Sequence, residues 1–178
     1  MDNLAKLIYV AHYDKVIYYS IEIIESQEHE ITSPSTLFDE FKAENNENKE
    51  KLQHILDWIE EIGDKYGAKQ QFFRNEKKAS ALPPDTQLPL EPHYYEKGKK
   101  LGNNLRLYCI PINEHVVILL NGGIKSTKKA QHCPNVSESF ELANKLAKAI
   151  EKSLHKNDIE WSEEDLDILY DDNLEIHF

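Results

Sequence analysis

The stretch LRLYCIPINEHVVILLN, residues 105–121, has the pattern of two β-strands joined by a short turn. Leu105, Leu107 and Cys109 alternate with Arg106 and Tyr108. This alternation predicts a strand that presents Arg106 and Tyr108 on one face. After a turn at Asn113-Glu114, the run VVILL is apolar at every position, as is typical of a central strand covered on both faces. We therefore predict an antiparallel hairpin, 105–112 with 115–121, at the centre of a sheet.

Further elements are predicted on both sides of this hairpin. Residues 4–25 are rich in Ile, Val and Tyr and favour strands, either as a hairpin or with a helical first part, and 17–23 is strand in both cases. Ser33-Pro34 predicts a helix start, and a short strand is predicted at 70–74. Apolar residues at three- and four-residue spacing predict helices, the last capped by Asn135 or Ser137. These stripes are Leu37, Phe38, Phe41; Leu52, Ile55, Leu56, Ile59, Ile62; and Phe140, Ala143, Leu146, Ala147, Ile150.

The chain is predicted to form one domain over 1–156, followed by an acidic extension over 157–178. Residues 75–104 carry four prolines and a Gly- and Lys-rich cluster, which predicts an irregular insertion. The extension interleaves apolar residues with its acids, so we expect it to pack against the domain. His54, on the second predicted helix, is interpreted as a surface or boundary residue.

Charge is distributed unevenly along the chain, whose formal net charge is -11. Residues 64–156 contain 16 basic and nine acidic side chains, whereas the rest of the chain contains five basic and 23 acidic ones. Nine of those acids lie in the extension 157–178. This asymmetry favours a basic functional surface with acidic flanks, with ordinary solvated charge as the alternative.

Several classes of protein are disfavoured by composition. The two cysteines, Cys109 and Cys133, do not form a CxxC motif, so neither a disulfide framework nor a structural metal is predicted. No apolar run is long enough to span a membrane, and the start MDNLAKLIYV lacks the pattern of a signal peptide. We expect a cytoplasmic protein that needs no cofactor and has no membrane partner; the sequence does not indicate its oligomeric state.

The chain from about Ile59 to Lys152, in particular the segments 59–74 and 105–152, resembles the RelE/HigB superfamily of toxins from type II toxin–antitoxin systems, with looser agreement in the N-terminal strand and helix pair. The resemblance lies in the Arg-bearing strand LRLY, the adjacent apolar strand, the turn GIKSTKK and a final helix containing Ala143 and Asn144. The family's turn carries two lysines and a threonine and is followed by a proline. Lys125, Thr127, Lys128 and Pro134 stand in those places.

The resemblance implies an α+β fold: a small twisted, mainly antiparallel sheet with two N-terminal helices and a C-terminal helix packed on it. It also implies a toxin that cleaves mRNA on the ribosome without a metal and is inhibited by a cognate antitoxin, typically a helix-turn-helix protein. Relatives include gyrase poisons, so the alternative is a non-catalytic protein-interaction module. A third possibility is an unrelated α+β domain.

Candidate site residues follow from the chemistry of RNA cleavage, which needs cations at the scissile phosphate and groups that move protons. Arg106 can bind two phosphate oxygens, Lys125 adds a second cation, and His132 is the nearest histidine that could serve as acid or base. Further phosphate or base contacts are predicted for Arg74, Tyr108, Lys128 and Lys129.

Each candidate has a structural alternative. Arg106 could instead pair with an acid across the sheet, Tyr108 could pack within it, and the lysines and His132 could be ordinary loop residues. One further hypothesis is that residues 157–178 lie across the basic face and shield it.

Overall fold

A computed structural model describes residues 3–24, 35–126 and 128–178 of the chain. The strands are β1 (Leu4–His12), β2 (Ile17–Ile24), β3 (Arg74–Glu76), β4 (Ala79–Leu82), β5 (Tyr95–Glu96), β6 (Lys99–Lys100), β7 (Leu105–Pro111), β8 (Val116–Ile124), β9 (Ile159–Trp161), β10 (Ile168–Tyr170) and β11 (Ile176–His177). The α-helices are α1 (Leu37–Glu44), α2 (Lys49–Glu61) and α3 (Ser137–His155). A π-helical turn, Ile62–Tyr66, extends α2, and 3₁₀ turns lie at Gln70–Phe72, Ala130–His132 and Glu163–Asp165.

Seven strands form one mixed sheet in the order β11-β1-β2-β8-β7-β4-β3. The β2–β8 pair is parallel, and every other pair in this sheet is antiparallel. The predicted β7–β8 hairpin is confirmed, with Arg106 opposite Gly123 and Pro111 opposite Val117. The prediction that the VVILL run forms a central strand is also confirmed, because β8 is fourth of the seven strands.

The predicted fold class is wrong. We expected a small, mainly antiparallel sheet with two N-terminal helices, whereas the structure has a seven-stranded mixed sheet, and α1 and α2 follow the β1–β2 hairpin. Residues 75–104, predicted as an irregular insertion, contain most of β3 and all of β4, β5 and β6. The C-terminal residues add β11 at the opposite edge, beside β1. The strand predicted at 70–74 is instead a 3₁₀ turn that leads into β3.

Both faces of the sheet are covered. Helices α1 and α2 pack on one face and α3 on the other, and alternation along β8 divides its side chains between the two layers. Val116, Ile118 and Leu120 face α3, whereas Val117 and Leu119 face α1 and α2. Burial of each such side chain contributes roughly 1.5–3 kcal/mol, so this strand stabilises both layers together.

Helix starts differ in detail from the sequence expectation. The predicted start at Ser33-Pro34 lies outside the described residues, and α1 begins after Thr36, which forms a reciprocal capping box with Asp39. Helix α3 begins at Ser137 after Val136, without a side-chain cap. The caps predicted for this helix, Asn135 or Ser137, are therefore wrong, although the predicted helix is confirmed. Among the described helices, none has the length and apolar character required to cross a membrane.

The acidic C-terminal segment packs against the sheet, as expected. Ile159, Ile168 and Ile176 are buried with α3, and the Tyr19 hydroxyl donates to Asp167 at 2.7 Å. The Asn113 side chain in the β7–β8 turn donates to the Asp165 carbonyl at 2.8 Å. The β9–β10 hairpin therefore lies at the turn end of β7–β8, opposite the end that carries Arg106.

Candidate functional site

The open end of the β7–β8 hairpin, defined by Leu105–Arg106 and Gly123–Lys125, brings two of the predicted residues, Arg106 and Lys125, close together. Arg106 is opposite Gly123, and the Lys125 amide donates to the Asn104 carbonyl at 2.8 Å. The side chains of Arg106 and Lys125 therefore share the face covered by α3, on which Gly123 leaves space between the strands. A Cβ built on Gly123 would lie 3.1 Å from the Asn135 carbonyl, just before α3.

A β-bulge shapes this end of the hairpin. The register shifts between Leu107 and Cys109, where β8 contributes one extra residue. At Gly122 a Cβ would overlap the carbonyl oxygen of Arg106, so only glycine allows this approach of the two backbones. Gly122, the first of the two glycines before the basic loop, is therefore required by the close approach of β7 and β8 at this bulge.

Arg106 is buried without an acidic partner. Arg106 is 8% exposed. Its Nη1 donates to the carbonyls of Asn103, at 2.6 Å, and Leu105, at 3.1 Å. Nε is buried and has no hydrogen-bond partner. Across the described residues no carboxylate lies within ion-pair distance of this guanidinium. The predicted structural alternative, an acid across the sheet, is therefore not what the structure contains.

Arg74 adds a second guanidinium beside the first. In register, Arg74 is opposite Ala81, which is opposite Tyr108, so β3 and β4 bring Arg74 toward β7. Arg74 donates to the carbonyls of Pro83, at 2.8 Å, and Pro84, at 3.2 Å, and its Nη1 is 3.9 Å from Asp85. We call Arg74 and Arg106 the arginine pair.

The pKa of Arg106 reflects both its burial and its charged neighbours. Burial first, and repulsion from Arg74 second, lower the pKa of Arg106 to about 10, against smaller opposing effects of Glu76, Tyr108 and Asp85. The start of α3, whose first-turn amides carry partial positive charge, lies on the same face. A phosphate-like anion is the ligand that such an arrangement of donors would bind most favourably.

Tyr108 is a packing residue. It is completely buried, its ring meets the Phe140 ring edge-on at 6.1 Å, and burial raises the pKa of its hydroxyl. Its hydroxyl and the Asn121 Oδ1 are buried without partners, both close to the bulge. A base cannot stack on this ring while it remains covered, so the structure matches the packing alternative for Tyr108.

The basic loop after β8 presents its charges to solvent at the same end. Lys128, Lys129 and His132 are exposed, and Lys125 is half-buried. Cys133 holds the loop against the strand, because its Sγ accepts from the Ser126 amide at 3.3 Å and donates to the Ile124 carbonyl at 3.9 Å. Thr127, which the resemblance includes, lies outside the described residues.

Sequence reasoning missed the residues that support Arg106 from the other side. The side-chain amide of Asn103 donates to the Lys51 carbonyl at 2.9 Å and lies 3.0 Å from His54 Nδ1, and its Oδ1 accepts from the Leu105 amide at 2.9 Å. His54 Nε2 lies 3.1 Å from the Pro92 carbonyl. His54 is buried, so the prediction that it lies at the surface or boundary is wrong. The available signal was the Asn pair immediately before β7.

Both ring nitrogens of His54 have polar neighbours. The Trp58 Nε1–H donates to His54 Nε2 at 3.2 Å, Nε2 also lies 3.1 Å from the Pro92 carbonyl, and the Asn103 amide lies 3.0 Å from Nδ1. Burial lowers the pKa of His54, and His93 acts in the same direction, whereas Pro92, Asp57 and Glu91 oppose it. A neutral His54 therefore joins α2, the proline-rich loop and the strand that carries Arg106.

Asn144 is a second supporting residue, which the sequence placed in the final helix. Its Oδ1 accepts from the amides of Lys78, at 2.8 Å, and Ala79, at 3.1 Å, and so attaches the β3–β4 turn to α3. This attachment places Arg74 relative to the start of α3. No group of three His, Cys, Asp or Glu side chains in the described ranges is arranged to hold a metal ion.

Comparison of the chain with protein-family models, with curated proteins and with solved structures found no match.

Proposed function

We propose that this chain binds RNA at the open end of the β7–β8 hairpin and acts as the toxin of a type II toxin–antitoxin system, a ribosome-dependent mRNA endoribonuclease. The observation that carries the proposal is the arginine pair: Arg106 has no acidic partner within ion-pair distance and lies close enough to Arg74 for repulsion to lower its pKa. Bound phosphate would relieve that repulsion.

The chemistry assigned to this site is intramolecular cleavage of the RNA backbone. The 2′-hydroxyl gives up its proton and attacks the adjacent phosphorus, the bond to the 5′-oxygen breaks, and that oxygen takes a proton. The products carry a 2′,3′-cyclic phosphate and a 5′-hydroxyl. His132, exposed in the loop, is proposed to move a proton, and Lys125 to bind the charged phosphate.

Burial refines the role proposed for Arg106. A guanidinium that is 8% exposed and whose Nη1 is bonded to two carbonyls acts as fixed positive charge beneath the phosphate. It does not extend into solvent to bind both oxygens of a phosphate. Fixed charge in a partly dry site stabilises a developing anion more strongly than a mobile surface charge does.

The partners follow from this activity. The substrate would be mRNA on the ribosome, and the inhibitor would be a cognate antitoxin, of helix-turn-helix type by the resemblance. Both require a cytoplasmic location. Lys128, Lys129 and Arg74 are proposed to contact flanking phosphates.

Controlled expression with mapping of new 5′-hydroxyl RNA ends tests this function. Wild type should arrest growth and generate such ends in translated mRNA. Lys125→Gln and His132→Gln change exposed or half-buried loop residues, should fold normally, and should lower cleavage by about 10²-fold or more. Lys65→Gln, an exposed lysine at the end of α2, is the matched control. If wild type generates no new ends on translated mRNA, the proposal is wrong.

A second candidate function is a non-catalytic protein-interaction module. It is favoured by a groove between α3 and β7 with an apolar floor that includes Ile110, Ile112 and Ile150. Its rim includes Lys148, Lys152 and His155, together with Lys78, which forms an ion pair with Glu151 at 3.0 Å. An acidic amphipathic helix would suit that groove. Growth arrest that persists in Lys125→Gln and His132→Gln but is lost in Lys148→Glu would favour this function.

A further inference from the structure

We propose that the β5–β6 ribbon, residues 94–101, is a second contact surface for single-stranded RNA, at which Tyr95 stacks on a base. This inference rests on the proposed function, because it extends the phosphate site at the arginine pair along the RNA strand. Neither the segments that carry the family resemblance nor the predicted site residues include this ribbon.

The ribbon presents an aromatic ring to solvent. Tyr95 pairs with Lys100 and Glu96 with Lys99, and the turn passes through Lys97 and Gly98 at positive φ. Directly paired residues of antiparallel strands share a face, so Tyr95 and Lys100 project together. Tyr95 is 53% exposed and the neighbouring Leu101 43% exposed. A large exposed ring beside an ammonium group is the combination that binds a nucleotide by stacking and charge together.

The ribbon is anchored at its base. Tyr94 is buried, and its ring centroid lies 5.6 Å from that of His54. The Leu101 amide donates to the Tyr94 carbonyl at 3.0 Å, and the Asn103 side chain is bonded to the Lys51 carbonyl of α2. The exposed ring is therefore presented by a backbone with fixed ends, which lowers the entropy lost on binding.

Charge links the ribbon to the arginine pair. Lys97, Lys99 and Lys100 surround one acid, Glu96, and none of the three lysines forms an ion pair with a described residue. Lys100 lines the same cleft as Arg74, and repulsion from Arg74 lowers the pKa of Arg106. Lys100 therefore joins the ribbon to the arginine pair through this cleft, which Asp85 also lines.

Single-stranded RNA is the occupant that this surface favours. A lysine track provides the contacts to successive phosphates, and the exposed ring of Tyr95 provides a stacking platform that an unpaired base can use. Bases inside a duplex are already stacked on their neighbours, so a duplex could use the lysines but not the ring.

Equilibrium binding of a fluorescent oligouridylate of about twelve nucleotides, 2′-O-methylated to prevent cleavage, tests the inference. Tyr95→Ala should weaken binding about tenfold, whereas Tyr95→Phe, which keeps the ring, should bind like wild type. Tyr9→Ala is the matched control, because Tyr9 is 57% exposed on β1, away from the basic end. Replacing Lys97, Lys99 and Lys100 by Gln should reduce the slope of log affinity against log salt by up to about 2. The same change at Lys145, Lys148 and Lys152 of α3 should leave it unaltered.

The outcomes separate this inference from the function on which it rests. If wild type binds, Arg74→Gln and Lys125→Gln weaken binding, and Tyr95→Ala matches Tyr9→Ala, then the ribbon has no role and the phosphate site stands. If wild type does not bind the oligonucleotide, the ribbon inference is wrong, and the mapping of new 5′-hydroxyl ends decides the proposed function separately. Equal loss for single-stranded and duplex probes on Tyr95→Ala would overturn stacking.

Discussion

At the scale of single residues, the unusual feature is a buried guanidinium that the fold leaves without an acid. Burying a charge is costly unless it is paired, and Arg106 bonds to two carbonyls through Nη1, whereas its Nε is buried without a partner. Natural cores seldom keep such a group without a use for it. Anion binding is that use in our proposal.

Inorganic phosphate should therefore raise the thermal unfolding temperature more than chloride does at equal ionic strength. At ten times its Kd, phosphate would stabilise the folded chain by about 1.4 kcal/mol. Arg106→Met should lose this phosphate-dependent rise in unfolding temperature. Each variant is compared with itself, with and without phosphate, so a change in the variant's own stability does not affect the result. Lys65→Met should keep this rise. An equal phosphate increment in wild type and Arg106→Met would exclude Arg106 as an anion ligand.

His54 makes stability depend on pH in a defined direction. Its pKa is lowered below the ordinary value of 6.5, so the unfolded chain takes up a proton before the folded chain does. The free energy of unfolding should therefore fall as pH drops below about 6.5, until the lowered folded-state pKa is reached. Denaturant titrations at several pH values should show a smaller fall in the free energy of unfolding for His54→Gln than for wild type. His155→Gln, an exposed control, should behave like wild type; a fall that is unchanged in His54→Gln would show that His54 is not responsible.

At the scale of elements, the sequence predicted those with long, uniform patterns. The β7–β8 hairpin and α3 show clear alternation or helical spacing, and both are present. By contrast β3 is three residues, RNE, and β4 is ASAL, which are too short and too weakly apolar for a strand signal. The parallel β2–β8 pairing joins distant segments and leaves no local pattern.

The candidate site was predictable to the same extent. Register placed Arg106 at a strand end and the loop lysines near it, because both lie on one hairpin. The contribution of Arg74 depended on β3 and β4, and the support from His54 and Asn103 depended on packing between distant segments. Tyr108 was expected on the same face as Arg106, but its burial under Phe140 follows from where α3 crosses the sheet.

Gly122→Ala tests the bulge at the element scale. A Cβ at this position would overlap the Arg106 carbonyl, so the two strands must separate or β8 must change its register. We expect a loss of roughly 2–4 kcal/mol in the free energy of unfolding, measured by denaturant titration. Gly102→Ala, where the added methyl group would make an ordinary 3.4 Å contact with Thr86, should change stability by less than about 1 kcal/mol. Similar losses in both variants would argue against the bulge.

At the scale of the whole molecule, acidic and basic regions occupy different parts of the sheet. The β9–β10 hairpin packs at the turn end of β7–β8 and β11 forms the edge beside β1, whereas Arg106 and the lysine loop lie at the open end. The shield hypothesis requires the C-terminal acids to cover the basic face. The described contacts of residues 157–178 instead hold Asp165 and Asp167 away from it.

Neutralising acids in the C-terminal segment distinguishes separation from shielding. Glu163, Glu164 and Asp165 are exposed in the turn between β9 and β10, and their conversion to amides removes three charges without touching the core. At physiological salt, screening over about 8 Å limits their effect on a site at the other end of the sheet. We expect RNA affinity, measured by fluorescence anisotropy, to rise less than about threefold, and no more than in a variant with Glu44, Glu47 and Glu50 made amides. A rise of tenfold or more, confined to the C-terminal variant, would mean that these acids compete with RNA for the lysine loop, and the separation inferred from β9–β10 packing would then be wrong.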